Sequence, residues 1–310
     1  MKSVPKEKVY SRKQLQKKVK LFKWLAARST RAGRHRNDRA GKELFLETSE
    51  GKIRVLSYNL EKLEKLPLFI NIHGGGFILG SADMDDPYMM NVADNANVKI
   101  LSIDYSLSPE EVFPKALNEC YAVVKYAKEH AEELGIDSEN IAVGGHSAGG
   151  NLGAAICLRD AEANELGIKC LILDYPPLDL YTDAYLKPRL NPKMCRIFDA
   201  CYCNNKEERK NPLISPVYAL TDQVKAFPPT LILTAGLDLL CKETEDFKDQ
   251  LIEAGVDVTY KCFEGSRHGF TLSDKADAAE GWQMMIDHLN RLDNGFFWPG
   301  FALPDEQSSA

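Results

Sequence analysis

The sequence predicts an α/β fold in which helices cover both faces of a mostly parallel sheet and a helical cap covers one end. Six continuous apolar runs follow one another after Pro67, and segments with helical spacing separate them. Strands that are apolar along their whole length are buried on both faces, which is typical of a parallel sheet between two layers of helices. One proline-rich interval of about fifty residues interrupts this alternation and predicts the cap. It contains one predicted helical stretch, near residues 195–202.

Composition places the chain among ordinary globular proteins. Its 310 residues are 44% hydrophobic and 27% charged, which is enough apolar material for the core of a single α/β domain. No apolar run reaches the roughly 18 residues that a membrane-spanning helix needs, and the charged start lacks the apolar stretch of a secretion signal. The eight cysteines are scattered, which without such a signal indicates reduced thiols. We therefore expect a cytoplasmic protein without membrane insertion.

The charge is distributed unevenly along the chain. Residues 1–42 hold 15 basic and two acidic residues, whereas the remaining residues hold 24 basic and 43 acidic ones. A basic arm of this kind can bind nucleic acid or anionic lipid, or it can dock on its own acidic body. Docking is favoured, because the arm lacks interleaved aromatic residues and the whole chain is acidic. We expect no nucleic-acid partner.

The first elements are predicted from two kinds of periodicity. Residues 9–28 form an amphipathic helix, because apolar residues recur at helical spacing between lysines; the stripe is Leu15, Val19, Phe22 and Ala26. The polar segment 29–41 is predicted to be a loop. Residues 43–48 and 52–59 alternate around Ser49-Glu50-Gly51, which predicts a β-hairpin.

After the hairpin, strands and helices are predicted to alternate. The predicted strands are 68–72, 100–103, 141–143, 171–173, 231–233 and 256–263. The predicted helices between and after them are 87–96, 113–134, 152–163, 242–254 and 276–292. The chain is thus expected to hold N-terminal cap helices in 1–43, a catalytic domain in 44–293 with a cap insertion at about 176–226, and a tail in 294–310.

A strand-to-helix turn carries the first candidate catalytic residue. Gly145-x-Ser147-x-Gly149 lies between the apolar run that ends at Val143 and a helical segment that begins near Asn151. This spacing fits a nucleophile elbow, in which small residues beside a strained serine expose its hydroxyl at the edge of the sheet. On its own the pattern is also compatible with an ordinary glycine-rich turn.

A glycine run at the end of the first buried strand supplies candidate hydrogen-bond donors. Residues 73–77 read His-Gly-Gly-Gly-Phe, and consecutive glycines expose backbone N–H groups of the kind an oxyanion hole needs. In the corresponding hydrolase arrangement the other donor is the N–H after the nucleophile, here that of Ala148. His73 precedes these donors, so we expect it to brace the loop by a hydrogen bond rather than to transfer a proton.

An acid and a histidine follow Ser147 in the order that such a site requires. Asp238 comes just after the predicted strand 231–233, and His268 comes on a loop before the last helix. The carboxyl ends of parallel strands meet at one edge of a sheet, so both side chains are expected near Ser147. His268 would take the serine proton and Asp238 would orient the imidazole. Taken singly, Asp238 could instead cap a helix and His268 could be an ordinary loop residue.

The other histidines and the cysteines are weaker candidates. His146 is next to the serine, but strand alternation turns its side chain away from the hydroxyl. The remaining histidines lie in polar segments and are expected on the surface; they are His35, His130 and His288. The one cysteine cluster, at positions 195, 201 and 203, lacks zinc-ligand spacing. We expect neither a metal nor a cofactor.

Five motifs in this order resemble the hormone-sensitive-lipase-like family of α/β-hydrolase serine esterases. They are the glycine run 73–77, the segment 104–110 (Asp-Tyr-Ser-Leu-Ser-Pro-Glu), the turn 145–151, the Asp238 turn and His268-Gly269-Phe270. The resemblance implies an α/β-hydrolase fold over most of 44–293, a triad of Ser147, Asp238 and His268, and oxyanion donors at Gly75, Gly76 and Ala148. It also implies structural support near the site from Asp104, Tyr105, Pro109 and Glu110. Two positions depart from the family pattern: His146 stands where many members carry Asp, and Leu239 replaces a common proline.

The function implied is carboxylic-ester hydrolysis through an acyl-enzyme, with short-to-medium acyl groups. The same residues would also serve an amidase or a deacetylase of carbohydrate or xenobiotic substrates, and the sequence does not separate these. A non-catalytic small-molecule receptor is disfavoured, because Ser147, Asp238 and His268 are all present. The resemblance makes a homodimer possible.

Overall fold

The computed structural model describes residues 5–29, 39–187, 192–273 and 275–292. Within them a single eight-stranded sheet has the strand order β1-β2-β4-β3-β5-β6-β7-β8. The strands are β1 (Lys42–Thr48), β2 (Gly51–Tyr58), β3 (Leu66–Ile72), β4 (Lys99–Ile103), β5 (Ile136–His146), β6 (Cys170–Asp174), β7 (Thr230–Ala235) and β8 (Val258–Phe263). Every predicted strand is present, and β5 begins five residues before the predicted run.

The strand pairing confirms a mostly parallel sheet. Strand β1 pairs with β2 and β2 with β4 in antiparallel register, and the five remaining neighbouring pairs are parallel. The carboxyl ends of β3, β5, β6, β7 and β8 therefore point to the same edge of the sheet. The loops that follow these strands can meet there, as the order of the motifs predicts.

Helices cover both faces of the sheet. Their bounds are α1 (Arg12–Ser29), α2 (Ala82–Asn95), α3 (Lys115–Glu129), α4 (Ala131–Leu134), α5 (Ala148–Ala163), α6 (Pro192–Tyr202), α7 (Thr221–Val224), α8 (Cys241–Glu253) and α9 (Ala276–Asn290). One buried cluster joins α3 and α5 to side chains such as Ile70 of β3. A second joins α2 and α9 to the opposite face through side chains such as Phe69. Burying both faces explains the continuous apolar runs.

Several predicted helix boundaries differ from the structure; for example, α5 begins at Ala148, four residues before its predicted start. The helix predicted from Pro87 begins at Ala82, so the proline lies inside α2. Proline is favoured in the first turn of a helix, where its missing N–H costs nothing, and this preference suggested the wrong start. The helix predicted over 113–134 is two helices, because α3 ends at its cap residue His130 and α4 continues from Ala131.

The N-terminal helix packs on the long insertion between β6 and β7. Leu15 and Val19 of α1 are buried against Ile197 and Ala200 of α6. The segment before α1 is attached as well, because the Arg196 guanidinium donates a hydrogen bond of 2.8 Å to the Pro5 carbonyl. These contacts place both predicted cap segments together, while the division of the chain into domains stays a prediction.

The described part of the basic arm docks on the body through both apolar and polar contacts. Its buried residues are those of the predicted stripe, Leu15 and Val19. Arg12 also donates a hydrogen bond of 3.2 Å to the Pro109 carbonyl, and Arg39 pairs with Asp83 at 3.1 Å. The outer face of α1 is exposed and carries lysines at positions 13, 17, 20 and 23. Docking of the described part of the arm is thus as predicted, and hydrogen bonds and ion pairs contribute to it beside the buried side chains.

Three sequence expectations concern the chain as a whole. All eight cysteines are free thiols, as predicted. In the four described stretches, no helix is both long and apolar enough to span a bilayer. The predicted tail 294–310 and most of the predicted loop 29–41 fall outside the described residues.

Candidate active site

Ser147 occupies a strained turn between β5 and α5. Its backbone has φ 53° and ψ −121°, a conformation that ordinary side chains rarely adopt. The neighbouring strand makes glycine necessary on both sides of the serine. A Cβ atom would lie 2.1 Å from the Ile72 carbonyl oxygen at Gly145 and 1.8 Å from the same atom at Gly149. The predicted elbow is therefore a consequence of close backbone packing against β3.

The hydroxyl, an imidazole and a carboxylate form one hydrogen-bonded chain. The Ser147 Oγ lies 2.9 Å from Nε2 of His268. The Nδ1 of the same imidazole lies 2.6 Å from Oδ2 of Asp238. With the Nδ1 proton donated to the carboxylate, Nε2 is left free to accept the serine proton. Three residues far apart in the sequence thus meet at one edge of the sheet.

The surroundings of Asp238 and His268 fix their orientation. Asp238 follows β7 and is only 5% exposed, and its other oxygen accepts a hydrogen bond of 3.2 Å from the Leu240 N–H. The N-cap residue of α8 is Leu240 and no side chain caps the helix, so Asp238 is not the helix cap that the alternative interpretation proposed. The Tyr175 ring meets the His268 ring edge to face, with 4.9 Å between their centroids.

The glycine loop after β3 presents backbone donors beside Ser147. Gly75 has φ +118°, and a Cβ atom there would lie 2.1 Å from the Leu79 carbonyl oxygen, so the loop requires glycine. Among the described residues the N–H groups of Gly75 and Gly76 have no hydrogen-bond partner. Ala148 is the first residue of α5, where the N–H groups of a helix lack partners within the helix. These N–H groups can donate hydrogen bonds to an oxyanion.

His73 braces this loop, as predicted. It lies within hydrogen-bond distance of the Gly74 carbonyl oxygen, 2.7 Å from Nδ1, and its ring stacks on Tyr105 with 4.2 Å between centroids. The Tyr105 hydroxyl donates a hydrogen bond of 3.0 Å to the His73 carbonyl. Complete burial lowers the pKa of His73, which keeps the ring neutral.

A second histidine supports the loop, and sequence reasoning missed its role. The His146 side chain contacts the glycine loop, where its Nε2 accepts a hydrogen bond of 3.1 Å from the Gly74 N–H. The same atom lies 3.6 Å from Oδ1 of Asp85, and Asn71 donates a hydrogen bond of 2.9 Å to the other oxygen of that carboxylate. The adjacent aspartates at the start of α2 were a signal in the sequence for this buried polar support.

A cavity of about 320 Å³ opens in front of Ser147. Its lining includes the glycine loop, Ser147 and His268, together with residues of α6 and of the segment before α6. Most of the lining is apolar and includes Met84, Leu180, Met194, Phe198, Leu239, Leu240 and Leu272. Charged side chains also line it, namely Asp85, Asp179, Lys187 and Asp199. The hydroxyl therefore faces an apolar chamber that also contains charged groups.

Two of the outlying histidines can be placed. His288, predicted on the surface, is buried and only 4% exposed. It lies on the inner face of α9, and burial lowers the pKa of its ring to about 4. The surface prediction was wrong because the polar residues around it belong to the other face of an amphipathic helix. His130 is half-buried and stacks on Tyr126, and His35 lies outside the described residues.

Comparison with known proteins identifies the family. The profile of a family described by its alpha/beta hydrolase fold matches residues 69–272, about two thirds of the chain. The chain belongs to this α/β-hydrolase family. The matched region contains Ser147, Asp238 and His268, and the predicted fold class is confirmed.

Individual α/β-hydrolase relatives agree with this assignment. An AB hydrolase superfamily protein of Schizosaccharomyces pombe is 31% identical over 65% of this chain, and the match spans 62% of that relative's length. An arylesterase of Saccharolobus solfataricus is 31% identical over 72% of this chain and 77% of its own. A solved structure of a Rhizomucor miehei esterase has a TM-score of 0.79 and 28% identity, covering 94% of this chain and 93% of the other. The predicted resemblance to α/β-hydrolase esterases is confirmed.

Proposed function

We propose that this α/β-hydrolase is a serine carboxylic-ester hydrolase that acts through an acyl-enzyme. The observation that carries the proposal is the hydrogen-bonded chain from Ser147 through His268 to Asp238. Ser147 and His268 line a largely apolar cavity. Relatives of this chain are named arylesterase, acetyl esterase and ethyl acetate hydrolase. We therefore infer that Ser147 is the nucleophile, His268 the general base and Asp238 the residue that orients it.

Acylation follows from the distances at the site. The Ser147 Oγ attacks the ester carbonyl while its proton moves over 2.9 Å to Nε2 of His268. The imidazole becomes positively charged, and the Asp238 carboxylate, 2.6 Å from Nδ1, stabilises that charge. The imidazolium then gives the proton to the departing alkoxide, so that an alcohol leaves and an acyl-serine remains.

The backbone donors carry the negative charge of the intermediate. When the carbonyl becomes tetrahedral, its oxygen gains charge that the N–H groups of Gly75, Gly76 and Ala148 can stabilise. The positive end of α5 adds to this field. Because the glycine loop is held by Tyr105, His73 and His146, these donors are oriented before substrate arrives, which lowers the reorganisation cost in the transition state.

In the hydrolysis of the acyl-enzyme, water is the nucleophile and Ser147 is the leaving group. His268 takes a proton from water, the resulting hydroxide attacks the acyl carbonyl, and the proton returns to Ser147 Oγ as the acid leaves. A volume of about 320 Å³ is at the small end of ligand pockets, which run from roughly 300 to 1,000 Å³. The size of the cavity supports the proposal that short-to-medium acyl groups are the substrates.

Two broader expectations stay predictions. The free thiols support a reducing compartment such as the cytoplasm. A homodimer, which the family resemblance makes possible, would be decided by the molar mass of the protein in solution.

The experiment that tests the proposal compares two serine variants. Ser147→Ala should lower kcat on a nitrophenyl acetate by about 10⁴-fold or more, because nucleophile and base act as a unit. A fluorophosphonate probe should label the wild-type chain and not this variant. The control is Ser138→Ala, at the opposite end of β5, which should keep both rate and labelling.

The same assay separates the rival activities. Nitrophenyl esters of increasing acyl length report the depth of the pocket, and matched anilides report amidase activity. A Ser147→Ala variant that turns over esters at the wild-type rate would exclude the proposed mechanism. Wild-type protein that hydrolyses neither esters nor anilides and resists the probe would instead indicate a receptor.

A further inference from the structure

Asp199 presents a carboxylate to the cavity that no described residue satisfies. It lies on α6, beside Phe198, and is part of the cavity lining. Its backbone carbonyl accepts the N–H of Cys203, but its side-chain oxygens accept no hydrogen bond from any residue that the structure describes. Asp199 is half-buried, and desolvation raises the pKa of its carboxyl to about 7, as expected for an acid in largely apolar surroundings without a donor.

The nearby cations are committed to other acids. Lys187, which also lines the cavity, donates hydrogen bonds to the carboxylate of Glu243 and to the Asp179 carbonyl. The Arg209 guanidinium donates a hydrogen bond of 2.8 Å to the Cys203 carbonyl and one of 2.9 Å to the carboxylate of Glu7. Both cations act on Asp199 only at longer range.

The acids around this end of the cavity outnumber the bases. Asp179 is paired through its Oδ1, which accepts hydrogen bonds of 3.0 and 2.8 Å from the N–H groups of Tyr181 and Thr182. The nearby acids, Asp179, Glu243, Glu7 and Asp199 itself, therefore outnumber the two cations Lys187 and Arg209. A carboxylate in an apolar chamber is costly unless a partner neutralises it. The free cavity offers space for that partner.

The rest of the lining fits the body of a small organic cation. Next to Asp199 the wall consists of Met194, Cys195 and Phe198. Such surfaces accommodate methylene and methyl groups, and an aromatic face also attracts a cation. A protonated amine placed here would satisfy the carboxylate, and its carbon atoms would remain in apolar surroundings.

We propose that Asp199 selects ester substrates that carry a cationic amine or ammonium group. This inference rests on the proposed ester hydrolysis and names its substrate class. The cation pairs with the Asp199 carboxylate while the ester carbonyl lies between Ser147 and the glycine loop. Asp199 is a specificity-determining residue and takes no part in proton transfer.

The pairing gives the specificity a pH dependence. A cation favours the ionised form of Asp199, so preference for a cationic ester should decrease as the pH falls below about 7, where the acid is protonated. The groups that face Asp199 are Lys187, Arg209, Glu243 and Glu7. Glu243, with a pKa raised to about 7, acts in the same direction. His268 takes part in the reaction of charged and neutral esters alike, so a ratio of rates removes its contribution.

The test compares isosteric pairs of esters. 2-(Dimethylamino)ethyl acetate and 3-methylbutyl acetate differ only in the charged centre of the alcohol, and nitrophenyl 6-aminohexanoate and heptanoate place the difference on the acyl group. In wild-type protein at least one pair should show a kcat/KM ratio of about 10 or more in favour of the cation. Asp199→Asn should lower that ratio about tenfold. The exposed Asp222→Asn is the control and should leave it unchanged.

A binding measurement keeps the inference separate from catalysis. Calorimetric titration of the Ser147→Ala variant with butylammonium should show binding, and Ser147→Ala/Asp199→Asn should bind it about tenfold more weakly. Binding of this kind in a protein that hydrolyses no ester would support the cation site and contradict the proposed function. Equal ratios in the wild type for both pairs, or equal butylammonium affinity with and without Asp199, would overturn the inference. If Asp199→Asn fails to fold, Asp199→Leu replaces it in both measurements. The wild-type kcat/KM ratios are then judged by the same criteria.

Discussion

The imidazole of His268 is held from both sides by single hydrogen bonds. On one side lies the Ser147 hydroxyl, and on the other the buried Asp238 carboxylate. The carboxylate determines which ring nitrogen carries the proton, and so whether the other one can act as a base. With the proposed roles, the Asp238 oxygen that faces Nδ1 determines whether Nε2 of His268 can take the Ser147 proton.

Asp238→Asn should therefore lower kcat by about 10³- to 10⁴-fold with little change in the fold. The amide has nearly the shape of the carboxylate but can present an N–H to Nδ1, which places the ring proton on Nε2 and blocks the base. Steady-state kinetics on a nitrophenyl ester measures the effect, with Asp222→Asn as the surface control. A kcat within tenfold of the wild-type value would show that another group orients the imidazole.

At this scale the sequence predicted the residues that its motifs mark and missed those that only packing reveals. Ser147, Asp238 and His268 were found because strand ends of a parallel sheet meet and because their order is characteristic. Asp199 was not found, since its position in the cavity depends on how the insertion folds over the sheet. His288 was misplaced, because local polarity does not show which face of α9 is buried.

Strand β3 and the turn between β5 and α5 approach each other so closely that no side chain fits two residues before or two residues after Ser147. The contacts at Gly145 and Gly149 are with backbone, the Ile72 carbonyl, which cannot rotate away as a flexible side chain can. The geometry of Ser147 is thus set by packing between elements as much as by the residue itself.

Two alanine substitutions in α5 should behave oppositely. Gly149→Ala puts a methyl group 1.8 Å from the Ile72 carbonyl oxygen, and we expect a loss of about 3 kcal/mol or more in the free energy of unfolding. Gly153→Ala meets its nearest atoms at 3.4 Å or beyond, so it should be neutral or stabilise by up to about 1 kcal/mol. Denaturant unfolding of both variants measures this, and a stable Gly149→Ala would mean that the turn can relax.

Element existence was easier to predict than element boundaries. Apolar runs located the strands β3 to β8, and alternation around a turn located β1 and β2. The start of α2 was wrong because Pro87 is tolerated inside the helix. In the insertion only α6 was foreseen, and the short turns at Glu207–Lys210 and Pro216–Tyr218 are too brief to leave a periodic pattern.

The whole molecule should lose stability in mild acid, and His288 is one cause. Its buried ring hydrogen-bonds to the backbone of Pro229, and its pKa is lowered from 6.5 to about 4. A lowered pKa means that the unfolded chain binds a proton that the native protein excludes. The stabilisation is complete above pH 6.5 and is lost as the pH falls toward 4, by up to about 3 kcal/mol for this one group.

His288→Gln should remove that part of the pH dependence. Unfolding free energies measured by denaturant titration from about pH 7 to about pH 4 should fall less steeply for the variant than for the wild type. The comparison variant Lys13→Gln, on the exposed face of α1, should keep the wild-type slope. Parallel curves for His288→Gln and the wild type would show that the buried ring does not drive acid unfolding.

The contact between α1 and α6 links the beginning of the chain to the chamber where substrate would enter. Leu15 and Val19 lean on the same helix that supplies Phe198 and Asp199 to the cavity wall. A change that displaces α1 should therefore also displace the α6 wall of the cavity. Such a change should alter which substrates fit while Ser147, His268 and Asp238 stay in place. The packing of α1 on α6 is thus one determinant of the shape of the substrate cavity.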